Sequence, residues 1–105
     1  MTIEKTLKYW IENEIPAHLR WGEVEKICKW LCTEYGFTFH PPKTGTHYVL
    51  AHNLLAKYKD KFIQNGILCH CNYNGEYSIK RESNVKKVYI KYILEAYQLI
   101  KGLKQ

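Results

Sequence analysis

The pattern that most constrains the fold is a pair of amphipathic helices that stand on either side of shorter, β-type segments. Over residues 21–35, apolar side chains recur every three or four positions, and Gly36 follows, where a helix often ends in a left-handed residue. A longer stripe runs from Val85 through Val88 to Leu103. Helical spacing of this length does not suit a strand. We therefore expect two long helices, with the β-type segments between them in the chain.

The segments between these helices predict antiparallel strands. Residues 37–39 alternate apolar and polar side chains, a Pro- and Gly-containing loop follows, and residues 46–51 form a second β-rich run. Residues 67–73 and 76–80 lie on either side of Asn74-Gly75, a pair that favours a tight type I′ turn. We therefore expect two hairpins, one before and one after the middle of the chain.

Two shorter helices complete the prediction. One covers the apolar stripe between Ile3 and Ile11 and ends before Pro16, and the other runs from Leu54 to Phe62 before the stop at Asn65-Gly66. A chain of 105 residues suits one domain with one core. The expected fold is therefore α+β with two layers, an antiparallel sheet packed on helices.

The charge of the chain is concentrated near its C-terminus. The formal net charge is +6 and the pI is about 9.1, and residues 79–105 carry seven Lys and Arg against two Asp and Glu. A basic domain of this size suits a nucleic-acid partner. The chain shows no signal-peptide pattern and no apolar run near the ~20 residues that span a bilayer, so we expect a cytoplasmic protein without a membrane partner.

Three segments, in this order and spacing, resemble the HicA family. Arg20-Trp21-Gly22-Glu23-Val24-Glu25 begins a helix, Gly45-Thr46-His47-Tyr48-Val49 begins a strand, and Val85-Lys86-Lys87-Val88-Tyr89-Ile90 enters the last helix. The resemblance covers roughly residues 20–101. It implies a small mRNA-cleaving toxin with a double-stranded-RNA-binding-domain-like (dsRBD-like) α-β-β-β-α fold, held inactive by a HicB-like antitoxin.

By this resemblance His47 is the catalytic histidine, and Gly45 and Thr46 hold the motif before it. The family often has a second histidine late in the next strand, where this chain has Lys80-Arg81-Glu82. Residues 53–75 look like an insertion before the last strand, and residues 1–19 like an N-terminal helical extension of a single domain covering residues 1–105. The identity of a second acid or base therefore stays open.

The chemistry of RNA cleavage without a metal or other cofactor supports a histidine at this point. One group must take the proton of the 2′-hydroxyl, one must protonate the leaving 5′-oxygen, and cations must balance the charge on phosphorus. Imidazole can serve either proton transfer near neutral pH. His40, at the end of the preceding strand, is a candidate for the second group, whereas His52 is expected at the surface.

The predicted RNA-binding residues combine the motif with the nearby basic residues. They are Lys43, Gly45, Thr46, Lys80, Arg81, Lys86, Lys87 and Lys91. Lys86 and Lys87 begin a helix, where the helix dipole disfavours cations, which points toward a ligand. A solvated basic face is the ordinary alternative.

Four cysteines allow a different interpretation. Cys69-His70-Cys71 with Cys28 and Cys32 has the residue types of a zinc site, but not the usual spacing of one. We expect buried thiols on apolar faces of a helix and a strand, with no metal. Besides a HicA-like nuclease, two alternatives therefore remain: a non-catalytic RNA-binding module and a zinc-stabilised interaction module.

Overall fold

The computed structural model describes residues 2–104, which form four helices and five short strands. In chain order these are α1 (Ile3–Glu12), β1 (His18–Arg20), α2 (Trp21–Tyr35), β2 (Thr38–His40), β3 (His47–Ala51), α3 (Asn53–Gln64), β4 (Glu76–Lys80), β5 (Asn84–Lys86) and α4 (Lys87–Leu103). The four predicted helices are all present. The α+β class with antiparallel sheets packed on helices is confirmed.

Strands β2, β3 and β4 form an antiparallel sheet with β3 in the centre. Phe39 lies opposite Leu50, and Leu50 lies opposite Tyr77. Leu50 and Tyr77 are buried, whereas their neighbours along the strands, such as His47 and Ser78, are exposed. Because side chains alternate between the two faces of a strand, the sheet has one face on the core and one open face.

Helices α2 and α4 cover the core face of this sheet. Val24 and Leu31 of α2 are fully buried, as are Ile90 and Ile100 of α4 to within 1%. Gly36 ends α2 in the left-handed region with φ of 75°, as the sequence predicts. The apolar faces of α2 and α4 therefore form the centre of the core. The open face of the sheet points away from these helices.

A second sheet was not expected from the sequence. β1 and β5 pair antiparallel, with His18 opposite Lys86 and Arg20 opposite Asn84. Each strand has three residues and buries only its central side chain, Leu19 or Val85. Such short, mostly polar segments carry almost no strand pattern. The pair is important nevertheless, because α2 and α4 each begin directly after it.

The predicted hairpin of residues 67–73 with β4 is wrong. Residues 67–73 form an irregular segment, and the Lys59 ammonium group bonds two of its carbonyls, those of Cys69 at 2.7 Å and Cys71 at 2.6 Å. The turn at residues 72–75 has a positive φ only at Gly75, so it is not type I′ either. A charged side chain of α3 thus replaces the strand partner that these carbonyls would otherwise need.

His52 is not the surface residue that the sequence predicts. It is half-buried and caps α3: its Nδ1 accepts a bond from the Leu54 amide at 3.1 Å, and Nε2 lies 2.8 Å from the Tyr35 carbonyl oxygen. Burial lowers the pKa of His52 from its ordinary value, although the contact with the Tyr35 carbonyl opposes this shift. His52 therefore has a structural role at the start of α3.

A polar cluster holds α1 against the rest of the domain. One carboxylate oxygen of Glu4 accepts hydrogen bonds from the hydroxyls of Tyr35, at 2.7 Å, and Tyr97, at 2.8 Å, and lies 3.2 Å from the Lys101 ammonium. These contacts, the Tyr35 bond first, lower the pKa of Glu4 to about 2. The N-terminal helix is therefore anchored to both α2 and α4.

Glu4→Gln is expected to reduce the free energy of unfolding at pH 7 by about 1 kcal/mol. The effect is small because the carboxylate is 34% exposed and water screens its contacts. The pKa of Glu4 is depressed in the folded state, so its contribution is present above the unfolded value near 4.5 and is lost as pH falls toward 2. Urea unfolding at pH 7 and pH 3 measures this. Glu12→Gln, an exposed control on the same helix, should change stability by under ~0.5 kcal/mol. An equal Glu4→Gln loss at both pH values contradicts the assignment.

Candidate functional site

His47 lies on the open face of the three-stranded sheet, at the first position of β3, with its side chain exposed. Lys80, the last residue of β4, is its direct cross-strand partner. His40 pairs with Val49 and is therefore the diagonal neighbour of His47 on the same face. Direct partners have Cβ atoms about 5 Å apart and diagonal neighbours lie about 7–8 Å apart, so the register brings two imidazoles and an ammonium to one end of the face.

The loop before His47 contains three of the predicted RNA-binding residues. Lys43, Gly45 and Thr46 are all exposed, and Gly45 has φ of 85°, which a residue with a side chain adopts only with strain. The Arg81 amide donates to the Thr46 carbonyl at 2.8 Å, which extends the pairing of β3 with β4 by one residue. The loop is thereby fixed beside Lys80 and Arg81.

The other predicted basic residues lie elsewhere. Lys86 ends β5 opposite His18, in the second sheet, and Lys87 begins α4; both side chains are exposed. Val88, expected on the apolar stripe, is instead 44% exposed next to them. Lys91 lines a groove of about 550 Å³ between α1, α4 and residues 67–68. Five of the eight predicted residues thus lie at the same end of the sheet as His47, with the Arg81 side chain on Trp21 at the other face, whereas the three lysines of this second group do not.

An aromatic cluster lies at the same end of the sheet as His47 but on the core face, and it was not identified from the sequence. The ring of Tyr48 lies 4.7 Å from that of Trp21 and 5.1 Å from that of Phe39, centroid to centroid, and all three are only partly buried. The helical spacing of α2 predicts Trp21 on its apolar stripe, and the alternation along β3 predicts Tyr48 in the core. The available signal was position: Trp21 is the first residue of α2 and Tyr48 the second of β3, so both lie near the ends of their elements, whereas Phe39 is the middle residue of β2.

The strand β4 leads into a polar segment that forms an open pocket with Trp21. The pocket has a volume of about 420 Å³ and is lined by Trp21, Arg81, Glu82 and Ser83. The Arg81 guanidinium carbon lies 5.7 Å from the centroid of the Trp21 ring, within cation–π range. Glu82 forms an ion pair with Lys80 at 3.4 Å, so the pocket and the open face share a charged contact.

The cysteines divide between the core and a segment on its edge. Cys28 is fully buried in α2, and burial raises the pKa of its thiol well above the ordinary value. Cys69 and Cys71 do not lie on a strand, as was predicted, but their sulfurs are 3.3 Å apart in the irregular segment. Burial raises the pKa of Cys71 to about 12. Over residues 2–104, no group of three or more His, Cys, Asp or Glu side chains is arranged to hold a metal ion.

The groups around His47 have the properties needed for acid–base chemistry on a phosphodiester. Two imidazoles on one face offer a proton donor and a proton acceptor, and Lys80 and Lys43 supply positive charge. No helix formed by residues 2–104 has the length and apolarity to cross a bilayer. Comparisons of the chain with protein-family models, curated proteins and solved structures find no match.

Proposed function

We propose that this chain is a HicA-like toxin, a metal-independent endoribonuclease that cleaves mRNA in the cytoplasm. The order α2-β2-β3-β4-α4 supports a dsRBD-like α-β-β-β-α arrangement, with α1 as an N-terminal extension and residues 53–75 as an insertion. The three segments that resemble the HicA family begin α2, begin β3, and run from β5 into α4. Each therefore begins an element that borders the proposed site or the proposed RNA surface.

The observation that carries the proposal is the placement of His47 on an open sheet face with Lys80 opposite and His40 diagonal to it. An exposed histidine alone is common. A second imidazole and an ammonium on the same face are what a metal-free phosphoryl transfer requires. His40 thus takes the role that a second histidine late in β4 has in the family.

In the proposed reaction, one of the two histidines takes the proton of the 2′-hydroxyl as its oxygen attacks the phosphorus. The bond between phosphorus and the 5′-oxygen breaks, and the other histidine, in its protonated form, gives its proton to that oxygen. Lys80 balances the negative charge on the phosphoryl oxygens, with Lys43 nearby in the loop. The products are a 2′,3′-cyclic phosphate and a 5′-hydroxyl. The test is cleavage of RNA in EDTA by the wild type and by His47→Ala, with analysis of these ends.

A non-catalytic RNA-binding module is the second candidate. The ion pair between Lys80 and Glu82 favours it, because a carboxylate 3.4 Å from the ammonium reduces the charge available to a phosphate. The same cleavage assay separates the two candidates. RNA that stays intact but bound, at concentrations well above the dissociation constant, identifies the module.

The exposed lysines at the start of α4 suit a longer RNA contact and a protein partner. A nuclease acting on cellular messages needs an inhibitor, and the concentration of charge in residues 79–105 gives an acidic partner fast association. The proposed partner is a HicB-like antitoxin that covers His47. Lys86 and Lys87 extend its binding surface beyond the site.

Lys86→Glu with Lys87→Glu is expected to weaken both RNA binding and antitoxin binding. Each lost phosphate contact should reduce the slope of log affinity against log salt by roughly 0.7–0.9. Both side chains are exposed, so the fold should persist. RNA affinity measured at several salt concentrations tests this. An unchanged slope in the folded variant means that the two lysines belong to a solvated face.

A further inference from the structure

The pocket formed by Trp21, Arg81, Glu82 and Ser83 has no role in the proton transfers described above. It adjoins the proposed site through two contacts: the Arg81 amide bonds the carbonyl of Thr46, the residue before His47, and Glu82 is paired with Lys80. The pocket therefore adjoins the end of β3 and β4 at which His47 and Lys80 lie. The chemistry of its walls indicates what that occupant is.

One wall suits a flat ring. Trp21 is partly buried, its ring lies 4.7 Å from that of Tyr48 at a tilt of 57°, and the guanidinium carbon of Arg81 lies 5.7 Å from its centroid. Unstacked bases of single-stranded RNA bind to such aromatic and guanidinium surfaces, and base–aromatic stacking contributes substantially to affinity. A wall of this kind is consistent with a nucleobase in the pocket.

The other wall carries a carboxylate with unused hydrogen-bonding capacity. Glu82 Oε1 contacts the Lys80 ammonium, but Oε2 is shielded from solvent and no hydrogen bond reaches it from the described residues. A buried acceptor without a donor is unfavourable, so a ligand with hydrogen-bond donors gains by supplying one. The negative charge of Glu82 also disfavours a phosphate at this point. The pocket therefore suits an uncharged ring with donors on its edge.

We propose that the pocket binds a guanine base of single-stranded RNA next to the phosphate that is cleaved. Guanine presents two adjacent donors, N1–H and the 2-amino group, which match the two oxygens of the Glu82 carboxylate once that side chain turns from Lys80 into the pocket. Adenine and cytosine place a ring acceptor beside their amino group, and uracil has a single N–H between two carbonyl oxygens. Each of these bases brings an acceptor against Glu82.

This proposal rests on the proposed nuclease activity, because it assigns a base preference to the substrate of that nuclease. It also makes a separate claim about binding. An RNA with 2′-O-methyl groups lacks the nucleophile of the proposed reaction but keeps all its bases. Binding to such an RNA therefore tests the pocket whether or not the protein cleaves RNA.

The experiment uses matched single-stranded oligonucleotides with guanine, inosine or adenine at one position. Cleavage of the ribo-oligonucleotides and binding of the 2′-O-methyl forms are both measured in EDTA. The guanine oligonucleotide should be preferred over the adenine one by roughly 5- to 150-fold, the discrimination typical of a good two-bond base contact. Inosine, which lacks the 2-amino group, should fall between them.

Glu82→Gln should bring the guanine-to-adenine ratio close to one, since the amide places an N–H donor where guanine needs an acceptor. Glu23→Gln is the matched control, because Glu23 is an exposed carboxylate in the first turn of α2 that lines a different groove. It should leave the ratio unchanged. Circular dichroism confirms that both variants are folded.

Equal binding of the guanine and adenine oligonucleotides by the wild type overturns the guanine assignment, as does a preference that Glu82→Gln leaves intact. Cleavage without base preference removes the pocket from the site but leaves the nuclease. A guanine preference in binding with no cleavage of any RNA keeps the pocket and removes the nuclease. The two proposals can therefore fail independently.

Discussion

His47→Ala is expected to reduce RNA cleavage by ~100-fold or more, the usual cost of losing a general acid or base, while RNA binding changes little. Cleavage by wild type and variant is compared in EDTA so that no metal contributes. His40 and Lys80 remain on the open face in this variant, and in the proposed mechanism they still contact the phosphate, so binding should persist. A lower cleavage rate with unchanged RNA affinity would therefore assign His47 to the chemical step and not to binding.

The fold should survive this substitution because His47 is exposed and its neighbours along β3, rather than its own ring, hold the strand in the core. His18→Ala is the matched control: it also removes an exposed histidine from a strand end, but in the second sheet. It should cleave RNA at the wild-type rate. Equal cleavage by the His47→Ala and wild-type proteins removes His47 from the mechanism.

The sequence predicts the helices well because each has several turns over which the apolar spacing repeats. Helix α4 shows both the strength and the limit of this signal: Ile93, Ala96 and Ile100 of the predicted stripe are buried, but Val88 is exposed. Position 88 lies in the first turn of α4, which begins directly after β5 and contacts both strands of the β1–β5 pair. These two three-residue strands have too few residues to show a pattern of their own.

The error at residues 67–73 has a similar origin. Cys69, Cys71 and Tyr73 alternate before a Gly-containing turn, which locally resembles a strand. The carbonyls of this segment instead bond Lys59, a buried lysine on α3. A side chain ten and twelve positions away holds this conformation, and local periodicity contains no information about it.

The candidate site was partly accessible to sequence reasoning. The alternation with buried Leu50 places His47 on the opposite face of β3, and the loop of residues 41–46 makes His40 its neighbour across a short hairpin. The pocket was not accessible, because Trp21 and Glu82 meet only through the packing of α2 beside the segment after β4. Long-range packing of this kind is absent from any local pattern.

Gly75→Ala is expected to have the largest effect on stability, because Gly75 lies in the turn that packs against the start of α3. A Cβ at this position would be 2.5 Å from the carbonyl oxygen of His52 and 2.8 Å from the amide nitrogen of Ala56. Both atoms belong to the backbone and cannot move alone. The Gly75 carbonyl also accepts a bond from the His52 amide at 3.1 Å, so any shift disturbs the cap of α3.

Gly66→Ala separates this clash from the cost of the backbone conformation. Gly66 has φ of 72° and Gly75 has φ of 75°, but a Cβ on Gly66 would meet no atom within 4 Å. The positive φ alone should cost about 1 kcal/mol at either position, and the clash should bring the loss for Gly75→Ala to about 3 kcal/mol or more. At roughly 4–8 °C per kcal/mol, the melting temperatures should fall by about 4–8 °C for Gly66→Ala and by at least ~12 °C for Gly75→Ala. Equal losses for the two variants mean that residues 72–75 do not pack against α3 as described, since the backbone cost is common to both and only the contact with His52 and Ala56 distinguishes them.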